Sequence, residues 1–93
     1  MAYHVDLSPH ANRQIDRLRG VARIALLGVV LARADDPRPR GALRITGMRN
    51  IWRVRVRIDD RPWRVIYQVD DTDQLVVILR VAARDESTYR RLR

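Results

Sequence analysis

Arg53, Arg55 and Arg57 occupy alternate positions of the segment Ile51-Trp52-Arg53-Val54-Arg55-Val56-Arg57-Ile58. In an extended chain successive side chains point to opposite faces. The three guanidinium groups therefore share one face, and Trp52, Val54, Val56 and Ile58 share the other. A guanidinium is a planar fork that binds phosphate oxygens two at a time and stays charged at physiological pH. A row of them suits holding a phosphodiester or stabilising charge that builds up on one. A charged stripe opposite an apolar one is ordinarily a solvated sheet face. Such a face mixes both signs, yet no acid lies between Arg53 and Arg57.

The charge is concentrated around this segment. The 93 residues carry a net charge of +8. Residues 37–64 hold nine arginines against two aspartates, a net of +7, while residues 65–93 are neutral. All the basic residues are arginine, and lysine and cysteine are absent. These absences exclude thiol nucleophiles, disulfides, thiolate metal sites, Schiff bases and a Walker lysine. His4 and His10 are the only histidines, and neither Ser8 nor Ser87 sits in a G-x-S-x-G turn. No metal and no cofactor are expected. The basic excess points to an anionic partner, most simply nucleic acid.

The elements that position the arginines follow from local pattern. Ala2 to Leu7 reads as a first strand. Ser8 caps a helix that begins at Pro9 and runs to about Arg19 with Ala11, Ile15 and Leu18 on one face. Gly20 separates it from a second helix over Val21 to Ala34, whose expected buried set is Ile24, Leu27, Val30 and Leu31. Asp35-Asp36-Pro37 ends that helix. Leu43 to Thr46 is a short strand or loop. Ile51 to Ile58 and Trp63 to Val69 are strands joined by a turn at Asp59 to Pro62. Leu75 to Ala82 reads as a central strand covered on both faces. Asp85 or Ser87 caps a short last helix holding Tyr89 and Leu92.

The fold class is α+β, in the order β-α-α-β-β-β-α. An antiparallel meander carries an N-terminal helical hairpin on one face, and residues 1–93 form a single domain. With Ile58 paired to Trp63, Arg57 would face Arg64. Arg80 shares its parity with Ala82 and Arg84. If that parity points the same way, Arg53, Arg55, Arg57, Arg64, Arg80 and Arg84 all lie on one face. No secretory signal is visible, and the apolar stretch Val21 to Ala34 is interrupted by Arg23 and Arg33. It is shorter than the roughly 20 residues a membrane span needs. A soluble, cytoplasmic protein is expected.

Cleaving RNA by its own 2′-hydroxyl needs a base, positive charge on the pentavalent phosphate and an acid for the leaving oxygen. Arginine supplies the charge but not the base, since its pKa lies above about 12. Tyr89 is the proton-transfer candidate, because neighbouring arginines lower a phenol's pKa; it could equally anchor the last helix. Tyr67, Trp52 and Trp63 have core parity. His4 and His10 read as surface residues and Ser8 as a cap.

Gly47-Met48, Trp52 to Arg57, the WRVIYQV segment at 63–69 and the pair Arg84 and Tyr89 together resemble the RelE/ParE toxin superfamily, most closely its RelE-type ribosome-dependent mRNA interferases. The resemblance implies a toxin of a type II toxin–antitoxin system that cuts mRNA in the ribosomal decoding site. The products are a 2′,3′-cyclic phosphate and a 5′-hydroxyl, formed without a metal. It also implies the ribosome with mRNA and a cognate antitoxin as partners, and operator DNA only through the antitoxin complex. By position, Arg64 and Arg84 stabilise transition-state charge, Arg53 and Arg55 orient the phosphate, with Arg57 beside them, and Tyr89 is the C-terminal tyrosine. The family has lysines where this chain has Arg53 and Arg55, so the base role passes to Tyr89 or to the ribosome. Two alternatives stand beside this: a ParE-like inhibitor of DNA gyrase, and a non-enzymatic nucleic-acid-binding module.

Overall fold

Ser8 and Pro9 start the first helix as their types require. The Ser8 hydroxyl accepts the Ala11 amide at 3.1 Å and donates to the Leu79 carbonyl at 3.2 Å. One side chain thus caps a helix and ties it to a strand. The structure, a computed structural model, describes residues 2–83. Its elements are β1 (His4–Leu7), α1 (Pro9–Asp16), α2 (Gly20–Leu31) followed by a 3-10 turn (Ala32–Ala34), β2 (Leu43–Arg44), β3 (Ile51–Ile58), β4 (Arg61–Asp70) and β5 (Leu75–Ala83). Arg84, Tyr89 and the expected last helix lie outside the described residues. Among those described, no helix is long and apolar enough to cross a membrane.

The five strands form one sheet in the order β1-β5-β4-β3-β2. β2 to β5 are the expected antiparallel meander. β1 joins it parallel to β5, pairing His4 with Leu75 and Leu7 with Ile78. The sheet is therefore mixed. The parallel join is available because the helical hairpin carries the chain across one face, as a parallel crossover requires.

That same face holds the core. Ala11 and Ile15 of α1 and Leu26 and Val30 of α2 pack with Val54, Val65, Tyr67, Val69, Val76, Ile78 and Val81 of the sheet. Where β1 ends, α1 takes over the hydrogen bonding of β5: the side-chain Oε1 of Gln14 accepts the Val81 amide at 2.7 Å. Replacing Gln14 by leucine leaves a part-buried amide without its acceptor. The expected cost is about 1–3 kcal/mol in chemical denaturation. A midpoint equal to wild type would show that water replaces Gln14 freely.

Three expectations change. The expected register was Ile58 with Trp63. In the structure Ile58 pairs with Arg61, Val56 with Trp63 and Arg55 with Arg64. Asp59 and Asp60 both have positive φ, 51° and 62°, which closes a two-residue hairpin of the primed kind. Pro62 then belongs to the strand. It falls at a pair where the antiparallel pattern asks for no amide donor toward β3. Second, Ile24 and Leu31 are 74% and 65% exposed, and the buried side chains are Leu26, Val30 and Arg33. α2 is apolar nearly all round, so periodicity could not select its inner face. Third, β5 is buried on one face only. Val77 and Leu79 are half-buried and Arg80 is exposed.

A small polar clamp secures the loop after α2. The Tyr3 hydroxyl donates to Asp71 and the Arg38 guanidinium donates to its other oxygen, each at 2.6 Å. The Arg38 and Tyr3 hydrogen bonds hold the Asp71 carboxyl below its ordinary 3.8. The bond to Asp71 holds the Tyr3 phenol above its ordinary 10.0. A depressed carboxylate contributes stability above its unfolded pKa and loses it as pH falls through the lower folded value. A raised phenol contributes below its unfolded pKa and loses it as pH rises through the higher folded value. The clamp is therefore expected to hold from about pH 4 to pH 10 and to release outside that window. An NMR titration of the Asp71 carboxyl checks this; an ordinary midpoint would mean the clamp is not formed in solution.

Candidate functional site

The register builds the site. On the sheet face away from the helices, one row runs Leu43, Arg53, Ile66, Arg80. The next runs Arg55, Arg64, Ala82, and a third pairs Arg57 with Pro62. Arg55 lies directly opposite Arg64. Arg53, Arg57 and Arg80 are its diagonal neighbours, within about 7–8 Å between backbones. Arg64 is thus the hub of a five-arginine cluster. Arg55, Arg57 and Arg80 are exposed, while Arg53 and Arg64 are half-buried.

Arg80 reaches this face through a bulge. Ile66 pairs with Arg80 but Tyr67 pairs with Ile78, so Leu79 is an extra residue in β5. Strict alternation from Val76 and Ile78 would have driven Arg80 into the core. The extra residue turns it outward and brings Val81 inward, at 3% exposure. The Ser8 hydroxyl on the Leu79 carbonyl fastens the bulge.

Among the described residues, no acid stands in these three rows. The acids on this face lie elsewhere: Asp6 on β1, paired with His4 at 2.9 Å, and Asp70 at the far end of β4. One end of the face is cationic and the other mixed. A phosphate chain placed here meets its strongest attraction over Arg64.

Some basic residues do other work. The Arg38 guanidinium lies 5.4 Å from the Trp52 ring centroid as well as on Asp71, and Arg61 lies 5.3 Å from the Trp63 ring centroid. Arg57 donates to the Asp60 carbonyl at 3.1 Å, across the hairpin turn. Trp52 and Trp63 lie on the core side as expected, and Tyr67 is fully buried with its hydroxyl donating to the Pro37 carbonyl at 2.7 Å. Burial pushes the Tyr67 hydroxyl up, against the pull of the Arg33 charge beside it. His4 and His10 are exposed. Of the expected site residues, Arg53, Arg55, Arg57 and Arg64 come together, and Arg84 and Tyr89 lie outside the described residues. Arg33 was missed: an arginine ending an apolar helix gives no sign of being buried.

The same fold is found in solved RelE toxins. The chain superimposes with a TM-score of 0.74 on the toxin of the intact Escherichia coli RelBE toxin–antitoxin complex, at 21% identity, covering 91% of this chain and 100% of that one. It matches the RelBE2 toxin–antitoxin complex of Mycobacterium tuberculosis at 0.73 and 25% identity, covering 90% and 100%. The archaeal RelE–RelB complex of Pyrococcus horikoshii OT3 gives 0.72 and 24%, covering 92% and 99%. A search of curated protein sequences finds no match. The family model of the ParE toxin of type II toxin–antitoxin systems, parDE, matches residues 5–88. The chain belongs to that family, within the RelE/ParE superfamily, and is a toxin of a type II toxin–antitoxin system with a RelE-like structure.

Proposed function

We propose that this toxin is a ribosome-dependent endoribonuclease. The observation that carries the reading is the cluster around Arg64: among the described residues, five guanidinium groups share one sheet face with no acid in their rows. The 2′-oxygen of one nucleotide attacks the adjacent phosphorus, and the bond from phosphorus to the 5′-oxygen breaks. The leaving 5′-oxygen takes a proton from water or a ribosomal group, so that a 2′,3′-cyclic phosphate and a 5′-hydroxyl result. Arg53 and Arg55 hold the phosphate, with Arg57 beside them, and Arg64 and Arg84 stabilise the charge on its equatorial oxygens. The 2′-hydroxyl proton goes to Tyr89 or to a ribosomal group, because no arginine can take it. The reaction needs no metal and takes place in the cytoplasm. A cognate antitoxin binds the toxin, as in the RelE complexes above, and reaches operator DNA through that complex.

The test is to induce the toxin and map 5′ ends on a translated message and on a matching untranslatable one. Codon-phased ends only in the translated message are expected. Arrested growth with intact message would overturn the reading. The match to the ParE family model favours a second one, inhibition of DNA gyrase on the same fold. It predicts loss of supercoiling by purified gyrase and no cleavage of message. Antitoxin binding is tested separately, by co-purification with the product of an adjacent reading frame and relief of growth arrest.

A further inference from the structure

Arg33 ends the helix layer in the 3-10 turn after α2 and is only 8% exposed. Its Nε is buried with no hydrogen-bond partner, and among the described residues no carboxylate pairs with it. A buried cation without a counter-ion is expensive, because low-dielectric surroundings do not replace the water it has lost. The side chain lines a cavity of about 240 Å³. The other walls are Val29, the Pro39-Arg40-Gly41 loop, and Val54 to Val56 of β3. No acid lines it. It lies at the edge of β3 beyond β2, which pairs only with Trp52 and Arg53.

We infer that the Arg33 cavity is a carboxylate pocket, which takes one acidic side chain from a protein segment lying along the cleft between α2 and β3. The surroundings select a protein over RNA. The walls at Val29, Val54, Val56 and Pro39 are apolar and alternate with Arg40 and Arg55, and Val21, Ile24 and Leu31 add exposed apolar side chains further along the same helix. A segment with one acid among apolar residues matches both. A polynucleotide needs a run of exposed cations along its phosphates, and the opposite sheet face supplies that run. The inference rests on the antitoxin reading for the identity of the partner, and on the structure alone for the pocket.

The probes are a blocked peptide with one glutamate among leucines and alanines, its glutamine twin, acetate, and a 2′-O-methyl RNA hexamer, all at matched ionic strength. The glutamate peptide is expected to shift the Arg33 Nε–Hε resonance and to raise the Tm by roughly 5–10 °C at ten times its Kd. Acetate should do the same more weakly and the glutamine twin should not. Arg33→Met should keep or raise the Tm without ligand and abolish the glutamate effect. An Arg33 resonance that ignores peptide and acetate overturns the inference, and so does one that answers the RNA but not the peptide. Should Arg33→Met not fold, Arg40→Gln, at the exposed mouth, is expected to weaken the glutamate peptide at least threefold; unchanged affinity overturns the inference. If co-expression of the antitoxin still relieves growth arrest while Arg33 ignores the peptide, the antitoxin reading survives and this one does not. If Arg33 answers the peptide but no antitoxin co-purifies, the pocket stands and the partner is another protein.

Discussion

Arg64→Ala should slow single-turnover cleavage of a message held in the decoding site by about 10²–10³-fold, equivalent to roughly 3–4 kcal/mol of barrier. The size follows from position. Arg64 is on a central strand, half-buried, with Arg55 opposite and Arg53, Arg57 and Arg80 at its diagonals. Its half-buried stem on a central strand fixes where the guanidinium sits before a phosphate arrives, which is the preorganisation that electrostatic stabilisation requires. Arg64→Lys keeps the charge but loses the fork, so an intermediate rate is expected. The fold should not suffer, because removing one of five clustered cations relieves repulsion across the sheet. Cleavage within threefold of wild type would remove Arg64 from the catalytic role and leave the face as a binding surface only.

The second large effect lies in the helix layer. Leu26→Ala deletes a fully buried side chain and should cost about 2–5 kcal/mol. A domain of this size loses about 4–8 °C of Tm for each kcal/mol, so a fall of roughly 10 °C or more is expected. Ile24→Ala, two residues away and 74% exposed, should change stability by less than about 0.5 kcal/mol. The two substitutions together read out the orientation of α2. Equal costs would mean that the helix is rotated relative to the packing described above.

That pair also marks where sequence reading stopped. Strict alternation at 51–58 placed three arginines on one face, and it did so because a half-buried strand writes its two environments directly into its pattern. Ser8 and Pro9 named their helix start for a similarly local reason. α2 offers no contrast between its sides, so only its packing partners select Leu26 over Ile24. The hairpin register was hidden because Asp59 and Asp60 adopt the left-handed region without a glycine, and Pro62 looked like part of the turn. Arg80 depended on Leu79 being an extra residue. A bulge leaves no mark in an apolar run, since its cause is the fit to β4 and the bond from Ser8. Arg33 was illegible for the same reason: burial of a lone cation is decided by the loop that covers it.

The parallel pairing of β1 with β5 bears on when this toxin becomes competent. His4 must wait for Leu75, seventy-one residues further along, before the sheet can close. During synthesis, β1 and α1 emerge early but find neither the strand nor the bulge carbonyl that holds Ser8. Contacts so distant in sequence form late and slowly. The arginine face is likewise incomplete until β5 delivers Arg80 beside β4. A nascent chain therefore leaves the ribosome with its basic residues still scattered along an open chain, and the cationic face exists only once the last strand has docked.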